Sequence, residues 1–280
     1  MSRGATRVAR TAMVLVLLLT VGGYIALRHS VPVLGPASCD AGGTDQPVSL
    51  NVGQAGIAAT IAGVAQHRAL PPYAVTIAFA TALQESKLTN LHSGDLDSVG
   101  VFQQRPSEGW GPAVRLEDPV YASTKFFTAL SRVRGYRLMP VDEAAQAVQH
   151  SADGSAYGQF ATVAGRMSAA FTGQQPHAVW CWYPNLAGKP RLAAAGEELA
   201  RAFGPLRVRP TAAGGIMISV APGPSGWAVA AWLVSHAGAY GIRHISYGGY
   251  QWHSGQATSG WVRPGPRESA QAPTSVVVFG

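Results

Sequence analysis

The chain has 280 residues, of which 47% are hydrophobic and 12% are charged, and its formal net charge is +7. This hydrophobic content supports one large or two modest folded domains and excludes disorder throughout. The basic balance suits an anionic partner such as nucleic acid, a membrane surface or an anionic cell-wall polymer. Because the Lys and Arg residues are scattered and do not alternate with aromatic residues, the sequence argues against nucleic acid.

A basic start followed by an uncharged apolar stretch marks the N-terminus. Three arginines lie in the first ten residues, and TAMVLVLLLTVGGYIAL follows them. This stretch has the length of a short membrane-spanning helix or of a long signal-peptide core. No clear cleavage site follows, and GPASC before Cys39 is a poor lipoprotein signal. We therefore predict an uncleaved transmembrane signal anchor over residues 11–28, rather than a cleaved signal, with residues 1–10 in the cytoplasm and the remainder outside.

The next segment carries one of the two cysteines of the chain. Residues 29–51 are rich in Gly, Pro, Ser and Asp, which predicts a stalk. Cys39 lies in this segment and Cys181 lies far downstream, in VWCWYP. Outside the cytoplasm such a pair is expected to oxidise. We predict a disulfide between Cys39 and Cys181, the alternative being two buried free thiols.

Helical patterns dominate residues 52–203. GQAGIAATIAGVAQHR has apolar residues four and three apart, which is typical of a helix. LPPYAVTIAFATALQES begins with two prolines and is apolar almost all round, which indicates a buried helix. Further helices are expected after Asp118 as an N-cap, after Pro140, over about 155–171 and over about 191–202. We predict a mainly α domain here.

The last third of the chain has a different pattern. Residues 204–214 are rich in Pro and Gly and predict a linker. GIMISVA, IRHISYGGYQW and TSVVVF are typical of strands. PSGWAVAAWLVSHAGAYG is typical of a helix that begins at Ser225 as N-cap and stops at Gly241. We predict a small α+β domain over residues 215–280.

Glu85 is the candidate for acid–base chemistry, because it lies where the buried helix is predicted to end. Apolar surroundings and the negative end of the helix dipole both favour a protonated carboxyl there. A neutral carboxylic acid can donate a proton to a glycosidic oxygen. The alternative is a glutamate that merely caps the helix end or pairs with Lys87 or Arg105.

The motifs around Glu85 resemble those of the lysozyme-like superfamily, specifically of lytic transglycosylases and related peptidoglycan-cleaving domains of actinobacterial surface proteins. In that family a helix ends in Glu-Ser, a loop leads to a G-L-M/F-Q turn, and a tyrosine follows on a later helix. This chain has Glu85-Ser86, then GVFQ from Gly100, then Tyr157 in SAYGQF. The resemblance covers about residues 52–183. Gly158 departs from it, since the family has Asn after this tyrosine.

The resemblance assigns a role to each matching residue. It implies that Glu85 is the general acid and base, that Ser86 helps to orient the leaving group or the glutamate, and that Tyr157 hydrogen-bonds near Glu85. The GVFQQ turn would form the floor of a sugar cleft. Its candidate substrate-binding residues are Gly100, Phe102, Gln103 and Gln104. In such enzymes a single acid/base suffices, because the 6-hydroxyl of the substrate can close a 1,6-anhydro ring, and no cofactor is expected.

The loop between these motifs leaves two questions open. A hydrolytic lysozyme needs a second carboxylate, and Asp97, within GDLD, could face Glu85 across a cleft. The alternative, which we favour, is a turn in which Asp95 and Asp97 accept hydrogen bonds from nearby backbone N–H groups. Trp110 could stack on a sugar face or close the core.

The tail resembles small C-terminal domains related to zinc-dependent D,D-peptidases, but it lacks their ligands. Those relatives end in a strand of the His-x-Asp-His-x-His type, where this chain has SAQAPTSVVVFG. A zinc peptidase needs three protein ligands, and His236, His244 and His253 form no recognisable set. We expect no metal here, and a wall-binding or structural role.

These features predict a membrane-anchored, extracytoplasmic protein whose partners are the lipid bilayer and peptidoglycan. Its expected activity is cleavage of the β-1,4 bond between N-acetylmuramic acid and N-acetylglucosamine. Two alternatives keep the fold without the catalysis: an inactive peptidoglycan-binding or scaffold module, and a membrane-tethered partner of a transporter or secretion system. No G-x-S-x-G nucleophile elbow and no phosphate-binding loop occurs in the sequence.

Overall fold

The structure, a computed structural model, has a mixed α+β fold that is about half helical, with two small sheets. It describes residues 13, 15–16, 18–24, 35–43, 46–150, 154–184, 186–255, 260–265 and 273–280. Met1–Pro36 and Ala37–Gly280 are two separate units. The predicted cytoplasmic tail, and parts of the predicted anchor and stalk, lie outside the described residues.

In the first unit, the described residues from Met13 to Tyr24 are helical. The large apolar side chains exposed on this helix are Met13, Leu15, Val16, Leu18, Leu19, Val21 and Tyr24. Within the described part of the chain, no helix has the length and apolarity that crossing a bilayer requires. The transmembrane anchor therefore stays a prediction.

The second unit begins with a three-stranded antiparallel sheet instead of a stalk. Its strands are β1 (Ser38–Ala41), β2 (Val48–Asn51) and β3 (Val179–Trp182), in the order β2-β1-β3. Cys39 and Cys181 are opposite each other in the β1–β3 register, and a disulfide joins them as predicted. Residues 38–41 and 48–51 form strands where the composition predicts a stalk. The sequence does not show that two small residues of β1, Cys39 and Ala41, are buried and face the core.

Seven helices follow in the predicted helical region, as far as the structure describes it. They are α1 (Val52–His67), α2 (Pro72–Ser86), α3 (Ala113–Leu116), α4 (Pro119–Leu130), α5 (Val141–Gln149), α6 (Ala161–Phe171) and α7 (Leu192–Phe203). Asn51 and Gln54 form a capping box at the start of α1. Asp118 caps α4 as predicted. α2 is buried on nearly all sides and contacts α1, α4, α5 and α6, so it forms the centre of the helical part.

The tail forms a five-stranded antiparallel sheet with two helices. The strands are β4 (Val208–Pro210), β5 (Ile216–Ser219), β6 (His244–Tyr247), β7 (Tyr250–His253) and β8 (Ser275–Phe279), in the order β4-β5-β8-β6-β7. The helices are α8 (Pro224–Ser235) and α9 (Ala237–Tyr240). The expected strands are confirmed, and Gly241 ends α9 with a positive φ as predicted. α8 is capped by Gly223 and not by Ser225, because Pro224 takes the first helical position.

Two findings differ from the predicted domain boundary. β4 lies inside the predicted linker, where Val208 pairs with Ile218 of β5. α8 contacts α1, α6 and α7 on one side and β3, β6 and β8 on the other. A helix that is apolar on every face must be covered on every face, so α8 joins the tail and the helical part within one compact unit.

Candidate active-site cleft

A cleft of about 560 Å³ opens where α2 and α5 end against the loop between residues 87 and 112. Its lining is mainly polar and includes three carboxylates, one guanidinium and one indole. The residues that line it are Glu85, Asp95, Ser98, Gln103, Arg105, Glu108, Trp110, Gln149 and His150. The structure therefore brings Glu85, Gln103 and Trp110 together, as the sequence predicts.

Glu85 lies in the last turn of α2 and is partly buried. The hydroxyl of Tyr157 donates a hydrogen bond of 2.6 Å to its Oε1, which confirms the predicted contact. The side-chain amide of Gln149 donates to the same oxygen at 3.2 Å. Because both donors address Oε1, a proton on the neutral acid belongs on Oε2. Among the described residues Glu85 forms no ion pair, and Arg105 pairs instead with Asp97 and Glu108.

Gln149 is a site residue that the sequence does not reveal. It is the last residue of α5, and its Nε2 bridges Glu85 Oε1 and the backbone carbonyl of Phe102, at 3.2 and 2.8 Å. One amide thus connects the candidate acid to the GVFQQ turn. In the sequence it is one of two glutamines near the end of a predicted helix, and nothing in that pattern separates it from a surface residue.

Tyr157 reaches Glu85 from a short 3₁₀ segment, Gly154–Phe160, that precedes α6. Its side chain is fully buried, so its hydroxyl has a fixed position. The neighbouring Gly158 faces α5, where a Cβ added to it would lie 3.6 Å from the Cβ of Asp142. That position accepts a side chain, so the backbone does not require glycine there.

The GVFQQ turn is held by its backbone. Val99 and Gln104 exchange two hydrogen bonds of 3.1 Å, and the N–H of Gly100 donates to the Leu91 carbonyl at 2.7 Å. Gly100 has a φ of 78°, and a Cβ there would collide with the carbonyl of Leu116, so this position needs glycine. Gln103 also has a positive φ, of 47°. The backbone of the turn is therefore fixed at Gly100 and at Gln103, which is the residue that faces the cleft.

Within this turn Gln103 points outwards, whereas its neighbours Phe102 and Gln104 point inwards. Gln103 faces the cleft, where its Oε1 accepts from the Ser98 hydroxyl at 3.0 Å and its Nε2 donates to the Gly100 carbonyl at 3.1 Å. Phe102 is fully buried and stacks on Phe126, with ring centroids 4.5 Å apart. Gln104 is also buried and donates to the carbonyl of Ala122 at 3.3 Å.

Three predicted contact residues therefore lie outside the cleft. Phe102 and Gln104 are core residues because the turn directs them inwards, and Gly100 contributes only its backbone conformation. Ser86 is buried as well: its hydroxyl donates to the Val101 carbonyl at 2.7 Å and accepts from the Thr89 N–H at 3.2 Å. Ser86 thus fastens the end of α2 to the turn and does not line the cleft.

Asp97 belongs to a turn and not to the cleft wall. Its carboxylate accepts from the Ser107 N–H at 2.8 Å, the Ser107 hydroxyl at 2.9 Å and Arg105 Nε at 3.0 Å. The backbone hydrogen bond from Ser107, followed by the bonds from Arg105 and the Ser107 hydroxyl, lowers the pKa of Asp97 to about 2. The structure thus supports the turn that we favoured. Asp95, two residues earlier, does line the cleft.

Trp110 packs on the core and also borders the cleft, and its stacking on a sugar stays a prediction. Arg105 lies beside it in the cleft and is held between Asp97 and Glu108, at 3.0 and 2.5 Å. The cleft therefore offers an aromatic surface next to a guanidinium whose charge is balanced by two carboxylates.

The tail histidines take packing positions. His236 stacks on Trp232 with ring centroids 3.9 Å apart, and His244 stacks on His253 at 4.4 Å. Across the residues that the structure describes, no three side chains of His, Cys, Asp or Glu are grouped so that they could hold a metal ion.

No protein-family model matches this chain, and no curated protein matches it either.

Proposed function

We propose that this protein cleaves the glycan strands of peptidoglycan, with Glu85 as the general acid and base. One observation carries the proposal: the carboxyl of Glu85 is oriented by the Tyr157 hydroxyl, at 2.6 Å, on the wall of an open polar cleft. A buried tyrosine that donates to a carboxyl group at a helix end matches what the resemblance to lytic transglycosylases implies for these two residues.

The reaction begins with proton transfer from Glu85 to the leaving group. The bond between C1 of N-acetylmuramic acid and O4 of N-acetylglucosamine breaks, and O4 takes the proton from Oε2. The 6-hydroxyl of the same N-acetylmuramic acid then bonds to C1, and its proton returns to the Glu85 carboxylate. The products are a strand with a 1,6-anhydro end and a strand with a free 4-hydroxyl, and no water is consumed.

The state of Asp97 favours this anhydro-forming outcome over hydrolysis. Hydrolysis needs a second carboxylate that positions water or stabilises the cationic intermediate. Asp97 is unsuited to that role, because Arg105 and Ser107 already occupy its oxygens and it does not line the cleft. Glu108 is also paired with Arg105. Asp95 is the remaining carboxylate of the cleft and is the residue to test if water proves to be the acceptor.

The location proposed for this activity is the outer face of the cell membrane. An N-terminal anchor would hold the 37–280 unit beside the wall, with the bilayer and peptidoglycan as its partners. The disulfide between Cys39 and Cys181 supports export, because such bonds persist in oxidising compartments. The net charge of +7 suits an anionic wall polymer.

A second candidate is an inactive peptidoglycan-binding module with the same fold. The observation that favours it is Gly158, which stands where the resembling enzymes have Asn. Such a module would use the cleft to hold a glycan strand and would release nothing.

One assay separates the candidates. The full-length chain, solubilised in detergent, is incubated with purified peptidoglycan, and the soluble products are identified by mass spectrometry. We expect anhydro-muropeptides from the wild type and none from Glu85→Gln. Glu108→Gln, a matched change in the same cleft, should release the same anhydro-muropeptides as the wild type. Reducing-end products would indicate hydrolysis. Sedimentation with the wall, without any release, would overturn the enzyme and leave the binding module.

A further inference from the structure

A second cavity, of about 420 Å³, lies among α1, α4, α7 and the α8–α9 junction. None of its lining residues belongs to the Glu85 cleft. Its volume is in the range of sites that bind small molecules, and its surface is mostly apolar with a few polar groups. We name it the His236 cavity. Its lining residues that matter below are Gly56, Ile57, Glu198, Ser235, His236 and Tyr240.

One wall of the His236 cavity is a face of α1 that has little side-chain volume. Gly53, Gly56, Ile57 and Thr60 follow a helical spacing and all line the cavity. A Cβ at Gly56 would lie only 3.3 Å from His236 Nε2. The glycine therefore allows the edge of the imidazole to approach the α1 backbone.

The opposite wall is a stack of rings. His236 stacks on Trp232 at 3.9 Å between centroids, and Tyr240 lies 6.1 Å from Trp232 and 6.5 Å from His236. The rings of His236 and Tyr240 line the cavity together with that of Tyr183. Aromatic walls of this kind suit a flat or compact ring.

The protonation of His236 determines what its free nitrogen can do. Its Nδ1 lies 2.8 Å from the Trp232 carbonyl oxygen, and because a carbonyl only accepts, Nδ1 carries the proton. Burial lowers the pKa of His236 to about 4, so the ring is neutral at pH 7. Nε2 is then a hydrogen-bond acceptor on the cavity side.

Ser235 provides a second, independent indication of a ligand. It lines the cavity and is 4% exposed, and its hydroxyl has no hydrogen-bond partner among the described residues. A buried hydroxyl without a partner is unfavourable unless something pairs with it. Glu198 also lines the cavity, and its two carboxylate oxygens both accept from Arg201 at 2.9 Å.

We infer that the His236 cavity binds a compact, uncharged ring compound that carries one hydroxyl group. The hydroxyl hydrogen would go to His236 Nε2, and the hydroxyl oxygen would accept from Ser235. The rings of Tyr183, His236 and Tyr240 would contact the apolar body of the ligand. An anion is excluded by the same groups, because Nε2 and the Glu198 carboxylate are both acceptors. This site does not depend on the proposed glycan chemistry.

The test uses three probes of similar size on the full chain: 4-methylphenol, toluene and benzoate. Binding is followed at pH 7 through the methyl signals of Ile57 and Val120 in ¹³C-methyl NMR, since these residues line the cavity. These site-specific signals distinguish the cavity from detergent or from the apolar N-terminal segment. We expect saturable shifts with 4-methylphenol, about tenfold weaker binding of toluene, and no saturable shift with benzoate.

Three variants complete the test. Ala239→Trp should abolish the shifts, because Ala239 is exposed at the cavity and can become larger without disturbing the core. Ala193→Trp, an equally exposed alanine on α7 outside the cavity, should leave them unchanged. Ser235→Ala should weaken 4-methylphenol binding only part of the way towards that of toluene, because His236 Nε2 still accepts from the ligand hydroxyl. Unsaturable shifts in the wild type, shifts that survive Ala239→Trp, or benzoate binding as tight as that of 4-methylphenol would each overturn the proposal.

Discussion

In the proposed mechanism Glu85 must keep one geometry while its proton leaves and returns, and two neighbouring side chains hold its carboxyl group in place. Tyr157 and Gln149 both donate to Oε1, so the carboxyl cannot rotate without breaking two hydrogen bonds. Positioning of this kind contributes to catalysis because a small displacement of the acid from the leaving oxygen slows proton transfer steeply. The orientation of Glu85 is thus a property of three side chains from three separate segments.

Gln149→Leu tests this positioning. The variant keeps similar volume but loses the amide, so Glu85 and the Phe102 carbonyl both lose a donor. We expect kcat for muropeptide release to fall roughly ten- to a hundredfold with little change in KM. Gln159→Ala is the control, because Gln159 contacts Gln84 and not Glu85. A change confined to KM would mean that Gln149 binds substrate and does not position the acid.

The pKa of His236 has a consequence for stability. Burial lowers it from 6.5 in the unfolded chain to about 4 in the fold. Because the native state favours neutral imidazole, the stabilisation is complete above pH 6.5 and is lost as the pH falls towards 4. By linkage, the free energy of unfolding should be about 2 kcal/mol lower at pH 5 than at pH 8 on account of this group.

Urea unfolding of the wild type and of His236→Phe at both pH values measures that difference. The phenylalanine keeps the stacking on Trp232 but does not titrate. Between pH 8 and pH 5 the free energy of unfolding of the variant should therefore fall by about 2 kcal/mol less than that of the wild type. All other titrating groups are common to the two proteins and cancel. Equal pH dependence in both would show that His236 stays solvated.

The loop from residue 87 to residue 112 acts as an element of its own, although it contains only a short 3₁₀ turn and isolated bridges. Asp97, Arg105 and Ser107 tie its two halves together, and Ser86 ties it to α2. The loop thereby presents Gln103 and Trp110 to the cleft from a fixed backbone. In the proposed mechanism Asp97 fixes the shape of this loop and takes no part in the chemistry.

Asp97→Asn should therefore alter the loop without changing the reaction. We expect the same anhydro-muropeptides, at a rate reduced by no more than about tenfold, because Asn keeps an acceptor for the Ser107 N–H. Mass spectrometry of the products compares this variant with Asp95→Asn, whose carboxyl does line the cleft. If Asp97→Asn keeps its fold by circular dichroism but releases no products, Asp97 takes part in the reaction and the prediction is wrong.

The helices and the tail strands could be predicted, because their periodicity, prolines and caps are local signals. The contact between Tyr157 and Glu85 could also be anticipated, but only through a family resemblance, since 72 residues separate the pair. β1 and β2 could not be found, because each has only four residues and β1 pairs with β2 on one side and with the distant β3 on the other. The inward direction of Phe102 and Gln104 was equally hidden, since it depends on the positive φ of the turn.

Within the 37–280 unit, the core is continuous from the cleft helices to the tail sheet. α8 contacts α1 and α6, and α6 in turn packs on α2, which carries Glu85. The predicted boundary between two domains came from the Pro- and Gly-rich composition near residue 210, and β4 shows that this composition is compatible with a strand at the sheet edge. The sequence of the tail alone could not show that α8 is buried, because α1, α6 and α7 of the helical part cover one of its sides.

Loss of the disulfide should affect this whole unit. The bond closes a loop of 142 residues, for which the chain-entropy model gives a stabilisation of about 3–5 kcal/mol. The double variant Cys39→Ser, Cys181→Ser should unfold at correspondingly lower urea concentration, with a steeper slope because the unfolded chain without the cross-link exposes more surface. The matched control is wild-type protein unfolded with and without reductant. Unchanged stability in both experiments would show that the β1–β3 pairing needs no covalent link.

The same bond has a consequence for the order of events during export. If the chain crosses the membrane from its N-terminus, Cys39 reaches the outside long before Cys181, which is 142 residues behind it. Its thiol must wait while every helix that builds the cleft emerges, from α1 to α6. In the proposed export, the disulfide therefore forms only after the whole proposed cleft has crossed, and a chain truncated before Cys181 would keep the Cys39 thiol without its partner.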